Sequence, residues 1–132
     1  MEWLAGLIVF LFGFFLCGMG LLIFFRPETA EGFFNAFASS LKAHFTEQIV
    51  RLMVGMALMM FAPSMRWPSV FNSLGLLIAL TAITLMFTPW RIHQRFAVWV
   101  MPIVYRYFNL FAAVAFALGL FVLYGCLGAV AN

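Results

Sequence analysis

The sequence predicts an all-α integral membrane protein with four transmembrane helices arranged as two tandem, parallel-repeated helical hairpins. Three observations lead to this fold class. The 132 residues are 67% hydrophobic and only 8% charged, whereas an ordinary soluble domain carries about a quarter charged residues. Four apolar runs have about the length that crosses a bilayer core. A moderately polar segment that begins with Pro27 or Pro89 joins the two runs of each half.

The predicted spans follow the apolar runs in chain order. The first run carries the acidic Glu2 at its start and is too long for the apolar part of a signal peptide, so we expect a retained helix. Arg51 lies close to the start of the second run and can hold its charge at the headgroups. The four predicted spans cover residues 3–25, 49–65, 69–88 and 103–131.

An amphipathic segment in each half is predicted to lie along the cytoplasmic membrane interface. In the first segment, phenylalanines, Leu41 and Gln48 recur every three or four residues, as on one continuous helical face over residues 34–48. The second segment is predicted to be shorter and more basic, and Pro102 is expected to kink the start of the last span. The predicted interfacial anchors are Phe34, Phe37, Phe45, Trp90 and Trp99.

The basic residues are distributed unevenly between the two sides. Six of the seven Lys and Arg residues lie in or directly beside the linkers after the first and third spans, and Arg66 alone lies on the other side; the six are Arg26, Lys42, Arg51, Arg91, Arg95 and Arg106. Cytoplasmic loops are enriched in Lys and Arg, so we expect both termini on the non-cytoplasmic side. Pro27 and Pro89 are 62 residues apart, which predicts one membrane domain, 1–132, with repeat halves of about 1–66 and 67–132.

Small residues mark the predicted contacts between helices. In lipid, such residues allow helix backbones to approach closely, because packing rather than hydrophobicity drives the association. The first span has glycines seven residues apart, and the last span has a pair of small residues four apart. The predicted helix-packing residues are Gly6, Gly13, Gly20, Ala115 and Gly119.

The sequence carries no pattern typical of catalysis or of a metal site. Ionisable residues within a membrane are the usual sign of a functional site, and the predicted spans lack them in their central parts. His44 and His93 lie in the two predicted interfacial segments, but a metal site normally uses three or four ligands. We therefore interpret both histidines as solvated. No catalytic residue, metal ligand or cofactor is identified, and the chain is expected to be non-enzymatic.

Basic residues on the cytoplasmic side support two interpretations. Glu47 and Arg51 have the spacing and order of a helical ion pair, which would hold Arg51 in place. Alternatively, Arg51, Arg106, Lys42 and Arg91 form a clamp for an anionic lipid headgroup, because basic pockets on this side bind such headgroups. The spacing leaves both interpretations open.

One stretch of the chain has a recognisable pattern. Gly18-Met19-Gly20, followed by Pro27, an amphipathic stretch, Arg51 and Gly55, resembles the YjeT-like family of small bacterial inner-membrane proteins. The resemblance covers residues 18–60, and the second half is a more divergent copy that lacks a glycine four residues after Arg106. It implies a bacterial inner-membrane location and no particular activity.

These observations predict a small accessory or structural subunit that packs against other membrane proteins in a larger complex. The 18 phenylalanines are compatible with contact to a quinone or pigment at a subunit boundary. The alternative is a binder or transporter of lipids or hydrophobic molecules that uses the cytoplasmic arginines. Nucleic acid is not an expected partner, because nucleic-acid binding needs a clustered basic face.

Overall fold

The protein is helical throughout the part that the structure describes. The computed structural model describes residues 2–37 and 40–131, without the side chains of residues 36–37 and 129–131. In these ranges, α1, α3, α4 and α6 are long and apolar enough to cross a membrane, which confirms an all-helical chain with four such helices. The elements are α1 (Glu2–Phe25), α2 (Pro27–Phe37), α3 (Leu41–Phe61), a 3-10 helix (Ala62–Ser64), α4 (Pro68–Met86), α5 (Trp90–Arg106) and α6 (Phe108–Ala131).

The bounds of α1 and α4 lie close to the prediction, but α3 begins at Leu41, well before residue 49. Ser40 has an extended backbone (φ −154°, ψ 164°), and its hydroxyl accepts a hydrogen bond from the Ala43 amide at 3.1 Å. This is the geometry of a helix N-cap. The prediction of one continuous interfacial helix over residues 34–48 is therefore wrong, because an extended Ser40 cannot lie inside a helix.

The helix α5 is longer than predicted. It runs without a break from Trp90 to Arg106 and contains Pro102. The last long helix accordingly begins at Phe108 rather than near residue 103. The expectation that Pro102 marks the start of the last span is wrong, since the proline lies inside α5, where it removes one backbone hydrogen bond.

The four long helices pack as two antiparallel pairs, α1 with α6 and α3 with α4. At the α3–α4 contact, a Cβ added to Gly75 would lie 2.6 Å from the carbonyl oxygen of Gly55. At the α1–α6 contact, a Cβ added to Gly119 would lie 2.7 Å from the amide nitrogen of Cys17 and 2.8 Å from the carbonyl oxygen of Gly13. Glycine permits these close approaches because it has no side chain.

The two ends of the helical bundle differ. The Ser64 hydroxyl donates to the Glu2 carboxylate over 2.6 Å, and the Arg66 amide donates to the Gly125 carbonyl over 3.0 Å. These bonds join the start of α1, the α3–α4 connection and the end of α6. Because the long helices alternate in direction, α2 and α5 lie at the opposite end.

Candidate functional site

Two histidine side chains and one backbone carbonyl, from three different helices, meet at the end of the bundle where α2 and α5 lie. His44, in the first turn of α3, is 1% exposed, and its Nε2 atom lies 2.9 Å from the carbonyl oxygen of Leu85 in α4. Its Nδ1 atom lies 2.8 Å from Nδ1 of His93 in the first turn of α5. The prediction that the histidines are solvated is therefore wrong for His44, and His93 is half-buried. The two rings connect α3, α4 and α5.

Charged groups surround the two rings. Glu47 and Arg51 form the ion pair that their spacing predicts, so the first of the two interpretations of this spacing is confirmed. Burial is the main influence that lowers the pKa of His93, and His44 and Arg51 lower it further. The Glu47 carboxylate opposes this change by raising the same pKa. His93 is accordingly held mainly in its neutral form at neutral pH.

Gln48 is a site residue whose burial the sequence analysis missed. It lies one turn after His44, it is 0% exposed, and neither atom of its amide group has a hydrogen-bond partner within the described ranges. A buried amide without partners costs about 1–3 kcal/mol. The spacing of four residues between His44 and Gln48 was a usable signal, since it places both on one helical face. We call His44, Glu47, Gln48, Arg51 and His93 the histidine cluster.

A second polar site is an open pocket of about 400 Å³ between α2 and the junction of α5 with α6. Arg106 and Glu31 both line it, and among the described residues neither takes part in an ion pair. We call this site the α2–α5–α6 pocket. Its other lining residues are Pro27, Tyr105, Tyr107, Phe108, Asn109 and Leu110.

Tyr105 connects the pocket to α2. Its hydroxyl donates a hydrogen bond to Oδ1 of Asn35 over 2.8 Å. Burial and then the negative charge of Glu31 raise the pKa of Tyr105, while the hydrogen bond to Asn35 lowers it. The carboxylate of Glu31 therefore acts electrostatically on this part of the pocket.

The four basic residues of the predicted headgroup clamp have different surroundings. Arg51 is paired with Glu47 beside His93, whereas Arg106 lines the α2–α5–α6 pocket. His93 and Arg106 are 13 residues apart on α5, which corresponds to about 20 Å along a helix. Lys42 is exposed in the first turn of α3, and Arg91 lies over the ring of Trp90 at 5.8 Å. Arg106 is the member of the set that lines the pocket.

The predicted packing glycines contact the chain's own helices. A Cβ on Gly6 would meet Phe61 of α3 at 2.8 Å, and one on Gly20 would meet the Ala112 carbonyl oxygen of α6 at 2.7 Å. Gly13 and Gly119 lie at the α1–α6 contact described above. Ala115 is half-buried on α6. Gly6, Gly13 and Gly20 of α1 therefore allow close contacts with α3 and α6 of the same chain.

The predicted interfacial anchors lie on α2, α3 and α5. Phe34 packs its ring against Phe108 with centroids 6.1 Å apart, and Trp90 is partly exposed. Phe45 belongs to α3 and is exposed, and Trp99 of α5 is 69% exposed. The side chain of Phe37 lies outside the described part of the chain.

The described residues form neither a metal site nor a disulfide. Among the described residues, no group of three or more His, Cys, Asp or Glu is placed to hold a metal ion. Cys17 and Cys126 are both free. Comparisons with protein-family models, curated proteins and solved structures find no match to this chain.

Proposed function

We propose that the chain is a small, non-enzymatic integral membrane protein that binds an amine-bearing phospholipid by its headgroup in the α2–α5–α6 pocket. One observation carries this proposal. Arg106 and Glu31 line the same open pocket, and neither forms an ion pair within the described ranges. Arg106 lies over the ring of Tyr107 at 5.6 Å rather than in an ion pair. Two opposite charges that line one pocket without an ion pair are complementary to a ligand that itself carries both signs.

The chemistry of the lining residues fits such a headgroup. A guanidinium group such as that of Arg106 binds phosphate through parallel hydrogen bonds, and the Glu31 carboxylate can accept hydrogen bonds from an ammonium group. A purely anionic headgroup would instead meet repulsion from Glu31. The side chain of Asn109 adds donors and acceptors, while the exposed Tyr107 and Leu110 offer apolar surface to the start of an acyl chain.

The location of the pocket agrees with headgroup binding if α2 and α5 lie in the membrane interface, as we propose. No residue of α5 is fully buried by the rest of the chain, and its large apolar side chains Phe96, Val98 and Trp99 are exposed. An interfacial helix places such side chains among the acyl chains and its charges among the headgroups. The pocket would then open at headgroup level.

The remaining features of membrane placement are part of the same proposal. The uneven distribution of basic residues supports α2 and α5 on the cytoplasmic side, with both termini on the other side. The resemblance to the YjeT-like family supports a bacterial inner membrane. The proposed repeat is supported by the order of the elements, because each half has a long helix, a helix that begins at or directly after a proline, and a second long helix.

The proposal is tested by the lipid that the protein retains. The protein is purified in mild detergent, mixed with vesicles of phosphatidylethanolamine or phosphatidylglycerol, and analysed by native mass spectrometry. Arg106→Gln should reduce retained phosphatidylethanolamine by about tenfold or more, because hydrogen bonds to charged groups contribute about 1.5–3 kcal/mol. Arg95→Gln is the matched control, since Arg95 is an exposed arginine of α5 that does not line the pocket.

Two results test headgroup binding in the pocket and recognition of the amine by Glu31 separately. Equal lipid retention by the wild type, Arg106→Gln and Arg95→Gln would contradict headgroup binding in the pocket. Glu31→Gln should abolish the preference for phosphatidylethanolamine over phosphatidylglycerol while some lipid binding remains. An unchanged preference in Glu31→Gln would show that the carboxylate does not recognise the amine.

We propose as a second candidate that the chain is an accessory subunit that packs against other membrane proteins, where it also contacts a quinone or pigment. The specific observation is a stripe of α1 that includes Gly18 and faces away from the other helices. A Cβ added to Gly18 would meet nothing within 4 Å. A small residue in an apolar stripe permits close approach of a second helix in lipid. The exposed members of this stripe, at spacings of three and four, are Leu4, Leu7, Leu11, Phe14, Leu21 and Phe25.

This second proposal has a direct test because Gly18 has no contact to lose within the chain. Gly18→Leu should release a partner protein and reduce the native mass of the particle extracted in mild detergent. Ala117→Leu, a change at another exposed small residue on α6, is the control and should leave the mass unchanged. A wild-type particle with the mass of the bare chain would contradict the accessory-subunit proposal.

A further inference from the structure

The helix α5 has few polar connections to the rest of the molecule. Among the described residues, its side chains make two hydrogen bonds to other helices, from Tyr105 to Asn35 near its end and between His93 and His44 near its start. No α5 residue is fully buried. The histidine contact is therefore the specific connection that holds the first turns of α5 against α3.

The hydrogen bonds define the tautomers of both rings. A carbonyl oxygen can only accept, so the Nε2 atom of His44 must carry the hydrogen that is donated to Leu85. In a neutral His44 ring, Nδ1 is then an acceptor, and the hydrogen between the two rings belongs to Nδ1 of His93. Nε2 of His93 keeps its lone pair.

Counting protons shows what this arrangement tolerates. One added proton can occupy Nε2 of His93, and the hydrogen bond between the rings persists. A second added proton would have to occupy Nδ1 of His44, where it would face the hydrogen on Nδ1 of His93. Two donors 2.8 Å apart without an acceptor cannot form a hydrogen bond. The docked pair therefore binds at most one extra proton, whereas two separated histidines in water bind two.

We propose that the His44–His93 pair is a pH-sensitive latch, which holds the first half of α5 against α3 at neutral pH and releases it in acid. The groups that face the pair are the Glu47–Arg51 ion pair of α3 and the Leu85 carbonyl of α4. On α5 itself, Arg91 and Arg95 lie close in sequence and are exposed. The latch does not depend on lipid binding in the α2–α5–α6 pocket.

The direction of the pH dependence follows from proton binding. Burial lowers the pKa of His93 in the docked state below its ordinary value of 6.5, so the undocked state binds more protons. Docking is therefore complete above pH 6.5 and weakens as the pH falls from there towards the docked pKa. At pH 5, the exclusion of the second proton shifts the docking equilibrium by up to about 30-fold towards the undocked state.

Two measurements test the latch. Nitrogen-15 NMR of the imidazole rings at pH 8 should find hydrogen on Nε2 of His44 and on Nδ1 of His93. Hydrogen–deuterium exchange, corrected for the intrinsic chemical rates, should show faster exchange of the amides of residues 94–99 at pH 5 than at pH 8. Amides of residues 55–62 in α3 provide the internal reference and should show no such change.

His93→Gln is the matched variant, because a glutamine amide can donate to Nδ1 of His44 and does not titrate. Its exchange over residues 94–99 should be the same at pH 5 and pH 8. An equal pH response in the wild type and in His93→Gln would overturn the latch. The opposite tautomers at pH 8, or a stoichiometric metal ion bound to both Nδ1 atoms, would overturn it even if the variant failed to fold.

Discussion

Replacing Gly75 with alanine is the sharpest perturbation of the helical packing. Gly75 lies where α3 and α4 cross, and a Cβ at this position would lie 2.6 Å from the Gly55 carbonyl oxygen and 2.9 Å from Cβ of Leu58. The first of these atoms belongs to the backbone, and Leu58 is fully buried. Neither can move aside without shifting α3, so we expect Gly75→Ala to separate the two helices.

The size of the effect follows from the distances. To restore ordinary van der Waals contact, the helices must separate locally by roughly 0.8 Å. Overpacking of a well-packed interior costs about 1–3 kcal/mol. Alanine also favours the helix by about 1 kcal/mol relative to glycine. Gly18→Ala is the control for this gain, because it has the same effect on helix propensity while its Cβ meets nothing within 4 Å.

The assay compares these two variants directly. Unfolding is followed in mixed micelles with increasing dodecyl sulfate, by tryptophan fluorescence. The free energy of unfolding of Gly75→Ala should lie about 1–3 kcal/mol below that of Gly18→Ala, which is the overpacking cost alone. Equal stability of the two variants, or a Gly75→Ala protein more stable than the wild type, would refute the close α3–α4 approach.

Three further predictions use the same unfolding assay. Ser40→Ala should lower the free energy of unfolding by about 1 kcal/mol through loss of the α3 cap, and a neutral result would argue against that cap. Gln48→Leu should raise it by about 1–3 kcal/mol, because it removes a buried amide without partners; a loss of stability would show that the amide does have one. Arg51→Gln should cost no more than about 1 kcal/mol, since its ion pair with Glu47 is partly exposed, and should leave lipid retention unchanged. Reduced lipid retention in Arg51→Gln would favour the predicted four-residue clamp instead.

The sequence was sufficient for the number of long apolar helices and for the positions of two of them. Residues 3–25 of α1 and the whole of α4 are mainly apolar and contain no charged residue, so hydropathy and length locate these helices within about two residues. The start of α3 could not be located in this way. Its first two turns contain Lys42, His44 and Gln48, and a hydropathy pattern counts such residues as interfacial even where the fold buries them.

The two candidate sites depend on contacts between distant parts of the chain. Arg106 was a predicted headgroup ligand, but its neighbour in the pocket is Glu31, which belongs to α2 in the other half of the chain. His44 and His93 were predicted to be solvated, whereas their direct contact depends on how α5 docks against α3 and α4. Spacing along the chain identifies residues on one helical face, and it carries no information about which face of a second helix they meet.

In the proposed function, Arg106 binds the phosphate of a membrane phospholipid. Solid-state NMR of arginine-labelled protein in phosphatidylethanolamine bilayers measures it directly, through the dipolar coupling between lipid phosphorus-31 and guanidinium nitrogen-15. We expect a short-range coupling that persists in Arg51→Gln and disappears in Arg106→Gln. A coupling that disappears in Arg51→Gln and persists in Arg106→Gln, or no short-range coupling at all, would contradict the proposed function.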